Sequence, residues 1–546
     1  MSTKKWILML VVIMASVGVL AACSSSKENS TSPSASPADT ATSQESAKPD
    51  TGNAASFPLK DPITLTGFVQ KSPQVTKNDF NDMQVFEQLE QATNVKVNWT
   101  MVTGDVLSEK KNLTFASNNL PDFFLGSNVL TNQDIIKYGS QGQLIPLEGL
   151  IDQYAPNAKQ LFETRPDIKK AITAPDGHIY AMPMVFEEMN NTAPDALFIN
   201  KEWLDQLGLP VPTTTEQFEA TLKAFKGKDL NNNGKNDEIP FSFIYGQYIQ
   251  GLYSMAGSFG FADNSKHLAI DNGKIIYVPV QDGYRDFANY VNGLQQAGLI
   301  DSEAFTHSEN IYTSKIQSAD PIIGAYYLWD QSYLFGKVDT GYVPVPFLEG
   351  PDGHKQWQKE LARFSNGGFA ITSANTHPEV TLQWFDQIYN EETSIEHFWG
   401  PVEKNVKKND DGSYAFLPVP EGASPGTFRC EDSPCNAATV MLPKETLDKV
   451  NFADDIQWKE KRDLLNLYAP LQPKEIYPNV LMTEADTERL NILSSDINTY
   501  AKDTLAKWVI NGGVDAEWDS YVSQLKKMGL DEMIALYQKY YDSSKS

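Results

Sequence analysis

The stretch ITLTGFVQKSPQVTKNDFNDMQVFEQLEQATNVKVNWTM, residues 63–101, decides the fold class. Its beginning, ITLTGFV (63–69), predicts a β-strand. The segment DMQVFEQLEQAT (82–93) repeats its apolar residues at helical spacing, and NVKVNWTM (94–101) alternates apolar and polar residues as a strand does. The stretch therefore predicts a strand, a helix and a second strand, which together form the unit of a parallel sheet.

The residues that follow extend the same pattern. A second helix is predicted over 105–117, and a short apolar strand is predicted within LPDFFLGS (120–127). This alternation predicts an α/β fold built on a parallel sheet. The chain has 546 residues, which is more than a single hydrophobic core usually holds, so two or three domains are expected.

Helices are also predicted further along the chain. INKEWLDQLGLPVP (199–212) predicts a helix that ends at Gly208 and Pro210. From about Glu484 the chain is expected to be mostly helical, with turns at Gly512-Gly513 and Gly529.

The first residues predict export and lipid anchoring. In residues 1–22, Lys4 and Lys5 precede an apolar run, as in a secretory signal peptide. A transmembrane anchor is the alternative, but the run is slightly short for a span and ends in small residues. Its end, LAAC (20–23), resembles the bacterial lipobox, in which the signal is cut before the cysteine and the thiol is lipidated. This resemblance implies a mature chain that begins at Cys23 and carries diacylglycerol and palmitate.

The segment after the lipobox predicts a flexible tether. Residues 23–56 consist mainly of Ser, Thr, Pro and Ala, and they offer almost nothing apolar to bury. Such a segment reaches about 30 Å as a random coil. We therefore expect the folded body to stay close to the extracellular face of the cell membrane. The formal net charge of −25 excludes a nucleic-acid-binding role for the protein as a whole.

The remaining cysteines predict a disulfide. Of the three cysteines, Cys23 is assigned to the lipid, which leaves Cys430 and Cys435 as an even pair in an oxidising compartment. Metal binding by this pair is the weaker alternative, since no histidine lies nearby to complete four ligands.

The candidate catalytic motifs in the sequence lack features that their chemistry requires. The pattern GASPG (422–426) matches a nucleophile elbow around Ser424, but the next residue is Pro425, which has no N–H for an oxyanion hole. The six histidines are scattered and lack the paired spacing of a zinc site. A non-enzymatic protein is therefore expected.

Several phrases occur together in one order along the chain. They are NNLPDFFLGS, GQLIPLEGLIDQYAPN, DGHIYAMP, INKEWLDQLGLPVPTTTEQFEATLKAFKGKDLNNNGKNDEIP and FWGPVEKNV. Together they resemble the extracellular solute-binding lipoproteins of bacterial ABC importers, in the branch that takes oligosaccharides. The resemblance implies a two-lobe periplasmic-binding-protein-like α/β fold, with a hinge and a ligand cleft between the lobes. The expected lobes are 57–185 with about 365–460, and 186–364 with about 461–546.

The resemblance also implies a function. The protein is expected to act as a monomer that captures an oligosaccharide outside the membrane and delivers it to permease subunits. A surface-anchored glycoside-active enzyme is the alternative, because pairs of glycosidase carboxylates have no signature at this level.

Aromatic and polar residues near the expected cleft are ligand candidates. Aromatic rings stack on the apolar faces of sugars, while carboxylates and amides bind the hydroxyl groups. The alternative for each ring is ordinary core packing, and for the polar segment it is a solvated loop. The candidates are Trp329, Trp399, Tyr326, Tyr327, Asp330, Glu187, Glu188, Asn190 and Trp203.

The segment DLNNNGKNDE (229–238) predicts a calcium site. Hard oxygens recur at positions one, three and five of a helix-hand-like loop, and Gly234 provides the turn at position six. The usual glutamate at position twelve is Pro240 here, and the resemblance implies that Asp237 and Glu238, which precede it, close the site instead. An Asx-rich turn without metal is the alternative. The candidate ligands are Asp229, Asn231, Asn233, the carbonyl of Lys235, Asp237 and Glu238.

Overall fold

The computed structural model describes residues 56–545, apart from gaps at 128, 188–191, 248, 361–362, 422, 424 and 453–455. The predicted signal peptide, Cys23 and almost all of the predicted tether lie outside these residues. None of the helices in the described ranges combines the length and the apolarity that a membrane span requires.

The secondary structure of the described ranges comprises short strands and helices that alternate along most of the chain. The strands are β1 Ile63–Lys71, β2 Val95–Thr103, β3 Phe123–Leu125, β4 Met182–Phe186, β5 Ala196–Asn200, β6 Ile239–Ser242, β7 Leu268–Asp271, β8 Lys274–Tyr277, β9 Ile323–Leu328, β10 Tyr342–Pro344, β11 Arg363–Ile371, β12 Val406–Lys408, β13 Tyr414–Phe416, β14 Met441–Leu442 and β15 Val450–Asn451. The helices are α1 Gln84–Thr93, α2 Leu107–Ala116, α3 Asn132–Ser140, α4 Glu148–Tyr154, α5 Pro156–Thr164, α6 Pro166–Ile172, α7 Lys201–Leu207, α8 Thr215–Phe225, α9 Tyr253–Ala256, α10 Asp282–Gln296, α11 Glu309–Ile316, α12 Gln331–Phe335, α13 Pro378–Asp386, α14 Glu391–Trp399, α15 Pro425–Arg429, α16 Lys444–Leu447, α17 Ile456–Tyr468, α18 Glu484–Asn511, α19 Val514–Lys527 and α20 Leu530–Lys545.

The first sheet has six strands in the order β14-β4-β11-β3-β1-β2. Strand β1 pairs in parallel with both β2 and β3, and α1 and α2 make the two connections. Helix α1 buries Val85, Phe86 and Leu89, and it ends where Asn94 adopts a left-handed conformation. The strand–helix–strand order predicted from residues 63–127 is confirmed.

The second sheet has four strands in the order β10-β5-β9-β6. Strand β5 is antiparallel to its neighbours β9 and β10, whereas β6 and β9 are parallel. The predicted helix INKEWLDQLG begins two residues later than its sequence suggested, because Ile199 and Asn200 belong to β5. The Asn200 side chain accepts a hydrogen bond from the backbone N–H of Trp203 and so caps α7.

The C-terminal helices complete the core of the second sheet. Trp508 in α18 and Trp518 and Tyr521 in α19 belong to the same buried cluster as β5, β6 and β9. The three helices turn at Gly512, Gly513 and Gly529, as the sequence predicts. The mixed α/β architecture with two main sheets agrees with the expected fold class, while the exact lobe boundaries stay a prediction.

Helix α17 contacts two different cores. Near its beginning, Trp458 packs against Phe186 and Trp399 in a cluster beside the first sheet. Further along, Leu464 and Tyr468 belong to the core of the second sheet. The helix therefore connects the two halves of the fold.

Candidate ligand-binding site

The candidate site lies at the two sheet edges that are joined where the chain crosses from one sheet to the other. In the first sheet, β1, β3, β4 and β14 end at one edge, and the antiparallel β11 begins there. In the second sheet, β6, β9 and β10 end where β5 begins. The chain passes from the first edge to the second between β4 and β5, and it returns between β10 and β11. Ligands of open α/β sheets bind outside the carboxyl ends of the strands, so the site is expected at these two crossings.

Trp329 and Asp330 lie at such a carboxyl end, directly after β9. Trp329 is partly buried, so part of the residue is accessible to solvent. Asp330 is fully buried and accepts a hydrogen bond from Ser332 Oγ at 2.8 Å. The structure therefore places both residues at the predicted edge, with Trp329 the one that offers surface to a ligand.

Glu187 lies at the carboxyl end of β4, where the chain leaves the first sheet. Its carboxylate is 2.7 Å from Arg165 Nη1 and accepts the backbone N–H of Lys444 at 3.1 Å. The side chain is only 23% exposed, so a ligand hydroxyl would compete with two existing partners. The other two candidates of this segment, Glu188 and Asn190, lie outside the described residues.

Three of the predicted ligand residues are in the interior of the second half of the fold. Tyr326 and Tyr327 are 0% and 1% exposed. They alternate along β9, which has a strand on each side and both faces covered, so neither ring reaches a cleft. Trp203 is 1% exposed and packs edge-on against Phe225. We therefore remove these three residues from the candidate site.

Trp399 also lies in a core. It is the last residue of α14, and the loop starts at Gly400. The ring is 1% exposed and has Phe398, Phe416 and Phe452 around it. It presents no surface to a ligand in this arrangement.

The structure adds two buried ionisable residues that were not selected from the sequence. Asp195 lies just before β5, and burial raises its pKa to about 7 although Ser254 and Gln358 donate to it. Lys461 of α17 is fully buried and donates to the backbone carbonyls of Ala193 and Trp329. A lone Asp and a lone Lys in polar segments carry no sequence signal, and only the packing of distant segments brings them to this edge.

A separate pocket lies between the first sheet and the C-terminal end of the chain. It has a volume of about 710 Å³, and α6 with Phe364 lines one side while residues 475–481 and the end of α20 line the other. Its rim cations have partners: Arg165 pairs with Glu187, Lys170 donates to a carbonyl, and Lys545 pairs with Glu475. Its lining combines apolar side chains, such as Ile168, Val480 and Leu481, with charged side chains at the rim.

The loop between α8 and β6 brings Asx oxygens together. Asp229 Oδ1 and Asn231 Oδ1 both accept from the backbone N–H of Asn233, at 3.0 and 3.1 Å. Asp229 Oδ2 accepts from the N–H of Gly234 at 2.9 Å, and Gly234 has a φ of +80°, which favours glycine. Asn233 Oδ1 accepts from the N–H of Lys235. The turn predicted at position six is thus present, and three side chains point into one loop.

The two carboxylates that are expected to close the calcium site, those of Asp237 and Glu238, already accept some hydrogen bonds within the loop. Glu238 Oε1 accepts from the N–H of Leu230 at 2.6 Å, whereas Glu238 Oε2 is buried without a hydrogen-bond partner in the described structure. Asp237 lies 3.2 Å from Asn233 Nδ2. Among the described residues, no three acidic, histidine or cysteine side chains form a metal cluster. The donor set of hard oxygens with one unsatisfied buried carboxylate oxygen fits a calcium ion, and Asn and carbonyl oxygens supply part of it.

Cys430 and Cys435 form a disulfide in the structure. Both residues are fully buried in the core of the first sheet. The bridge lies among apolar residues, far along the chain from the ligand candidates of the second sheet.

Comparison with known proteins places this architecture in context. A family described as bacterial extracellular solute-binding protein matches residues 77–394. The fructooligosaccharide ABC transporter substrate-binding protein FusA of Streptococcus pneumoniae serotype 4 (strain ATCC BAA-334 / TIGR4) is 34% identical over 550 residues, which cover 97% of each chain.

Solved structures agree with this relationship. That of an S. pneumoniae FusA EF-hand mutant in complex with fructo-nystose has a TM-score of 0.78 at 32% identity, and it covers 88% of this chain and 99% of the other. An HMO-binding ABC-transporter-associated solute-binding protein from Bifidobacterium longum infantis ATCC 15697 has a TM-score of 0.79 at 25% identity, with coverages of 88% and 99%.

Proposed function

Because this chain belongs to the bacterial extracellular solute-binding protein family, we propose that it captures an oligosaccharide and delivers it unchanged to the permease of an ABC transporter. The observation that carries this proposal is the 34% identity to a fructooligosaccharide-binding protein over 97% of both chains. The two-sheet fold, with aromatic and acidic residues at the facing carboxyl ends, supports it.

We propose fructooligosaccharides as the ligand class, for the same reason. Isothermal titration calorimetry of the folded protein with nystose, a human-milk oligosaccharide and an oligogalacturonide tests the proposal. Tight binding of nystose alone would support it. If only the oligogalacturonide or only the human-milk oligosaccharide binds, the ligand belongs to another class of oligosaccharide. If none of the three binds, the proposed function is contradicted.

A glycoside-active enzyme is the competing function. Recovery of nystose from the calorimeter cell, followed by chromatography, separates the two. A binding protein returns the sugar intact, whereas release of fructose or sucrose by the purified protein would contradict our proposal.

Lipid anchoring is the second part of the proposal. The lipobox-like LAAC and the polar residues after it support attachment through Cys23. We further propose that the protein works as a monomer whose lobes are 57–185 with about 365–460 and 186–364 with about 461–546, closing on the ligand about a hinge.

Replacing Trp329 by Ala is expected to weaken nystose binding by ~1–3 kcal/mol, or roughly 5- to 150-fold, because a stacking surface for the sugar is lost. Calorimetry measures the change. Trp99→Ala is the matched control: Trp99 is also partly buried, but it lies in β2 against Phe86 and Phe123. Equal binding by wild type and the Trp329 variant would exclude Trp329 from the site.

The loop at 229–238 is proposed to hold calcium as a structural ion. Oxygens of Asp229, Asn231 and Asn233, the carbonyl of Lys235, and the carboxylates of Asp237 and Glu238 would bind it. The unsatisfied Glu238 Oε2 supports this assignment. A bound divalent ion would draw together acidic side chains that otherwise repel each other, and so fix the junction between α8 and β6.

Calcium at one hundred times its dissociation constant is expected to raise the free energy of unfolding by ~2.7 kcal/mol. Thermal melting in calcium and in chelator measures the difference for wild type and for Asp229→Ala. Asp411→Ala is the matched control, because Asp411 caps another exposed turn by accepting from the N–H of Ser413. The control should keep the calcium shift and Asp229→Ala should lose it. Identical wild-type melting in both conditions would rule the site out.

A further inference from the structure

Residues on one side of α17 fix the turn between β9 and α12, which includes Trp329. Glu460 and Lys461 lie three and four residues after Gln457, which places them on the same side of the helix as Gln457. Gln457 Nε2 donates to Asp330 Oδ2 at 3.2 Å. The Glu460 carboxylate accepts the first two backbone N–H groups of α12, at 3.1 and 2.8 Å. The corner between β9 and α12 is therefore fixed by a segment more than a hundred residues downstream.

Lys461 contributes the central contact of this face. Its side chain is 0% exposed. Its Nζ is 2.8 Å from the carbonyl oxygen of Ala193, 3.1 Å from that of Trp329, and 4.9 Å from the centroid of the Trp329 ring. A buried ammonium group needs such partners, and an aromatic face is one of them. The same atom thus binds both the backbone and the ring of Trp329.

The second carbonyl partner places Lys461 at a crossing between the sheets. Ala193 belongs to the segment that leads from β4 to β5. The helix that carries Lys461 has Trp458 in the cluster beside the first sheet and Leu464 in the core of the second. The position of the ammonium group is therefore set by both halves of the fold.

We propose that Lys461 is a positioning residue for the ligand, which holds the Trp329 ring in place and ties it to the crossing segment at Ala193. The inference rests on the proposed function, since it takes Trp329 as the stacking surface. In this role Lys461 does not contact the sugar and acts only through Trp329. Loss of Lys461 would remove the cation that contacts the ring and the group that donates to the two carbonyls.

Burial of Lys461 makes its charge sensitive to pH, and the acidic groups around it oppose this effect by raising its pKa. Burial lowers the pKa of Lys461 to about 8, and three carboxyl groups face it: Asp330 after β9, Asp195 before β5 and Glu460 on its own helix. Above pH 8 the ammonium group loses its proton, and with it the attraction between the cation and the indole ring. Ring placement, and hence affinity, is therefore expected to weaken as the pH rises through 8.

A double-mutant cycle with nystose tests the proposal. Lys461→Met is expected to weaken binding about tenfold in the wild-type background and less than about twofold in Trp329→Ala, because residues in contact are not additive. Lys459→Met is the matched control, since Lys459 is on the same helix but its side chain is 63% exposed. If Lys461→Met lowers the affinity for nystose equally in both backgrounds, the residue supports only the fold. If it lowers the affinity in neither background, Lys461 does not position the ligand-binding ring.

A ligand-independent measurement covers the case in which a Lys461 variant does not fold or nystose is not the ligand. The difference in fluorescence between wild type and Trp329→Phe isolates Trp329 from the other nine tryptophans. We expect this difference to titrate with a midpoint near pH 8. A flat difference between pH 6.5 and 9.5 would overturn the inference even if sugar binding is normal. A clear titration without binding of any sugar would contradict the proposed function and leave the placement of Lys461 supported.

Discussion

Replacing Trp399 by Ala is expected to lower the free energy of unfolding by ~3–5 kcal/mol, the usual loss for a large aromatic residue removed from a packed core. The residue is 1% exposed, and its ring contacts those of Phe186, Phe398 and Trp458, with centroid distances of 6.0, 5.1 and 6.5 Å. These neighbours come from β4, α14 and α17, so the cavity would open where three elements meet. Chemical denaturation of wild type and variant measures the difference.

The same position offers a sharp control. Trp399 Nε1 is buried without a hydrogen-bond acceptor in the described part of the chain. Trp399→Phe removes this unsatisfied donor and keeps part of the ring volume, so it should destabilise less than Ala. Both variants should bind nystose with wild-type affinity wherever they are folded. A stable Trp399→Ala protein with reduced affinity would return this residue to the ligand site.

Replacing Lys111 by Met is expected to destabilise the protein by ~3–5 kcal/mol, because it leaves the buried carboxylate of Asp134 without its cation. The two side chains are 6% and 12% exposed and form an ion pair. Lys111 Nζ also donates to the carbonyl of Val129 at 3.1 Å, while Asp134 closes the capping box of α3 with Thr131. One substitution would thus disturb α2, the loop after β3 and the start of α3.

Two comparisons isolate this ion pair. Lys110→Met changes the preceding residue, which is exposed, and should alter stability by no more than about 0.5 kcal/mol. Adding Asp134→Asn to Lys111→Met removes the unpaired charge but keeps an oxygen for the helix cap, so it should recover part of the loss. Equal urea midpoints for Lys110→Met and Lys111→Met would show that the buried pair contributes nothing.

The sequence predicts the local structure well where one face of an element is buried. The apolar spacing in 82–93 and the alternation in 94–101 predicted the ends of α1 and β2 to within two residues. Each pattern has a period that fits only one type of secondary structure, 3.6 residues for a helix and two for a strand. The start of α7 was less exact, since Ile199 and Asn200 suit the end of a strand and the cap of a helix equally well.

The site was harder to predict than the fold. Trp329 was selected as one of several aromatic rings that could stack on a sugar, and the structure places it at a strand end. The same reasoning selected Tyr326 and Tyr327, which lie in the strand itself and are covered on both faces. Lys461 was missed because its role depends on a contact with Trp329, 132 positions away, that no local pattern reveals.

The order of strands in the first sheet bears on how the chain assembles during synthesis. Gly126 donates to Thr439 across 313 positions, and Ser365 donates to the Ser127 carbonyl across 238. A chain that emerges N-terminus first therefore presents β1, β2 and β3 with an open edge while all strands of the second sheet are still to come. Unpaired edges of this kind promote aggregation. The sheet that starts first along the chain thus keeps an open edge until β11 and β14 arrive.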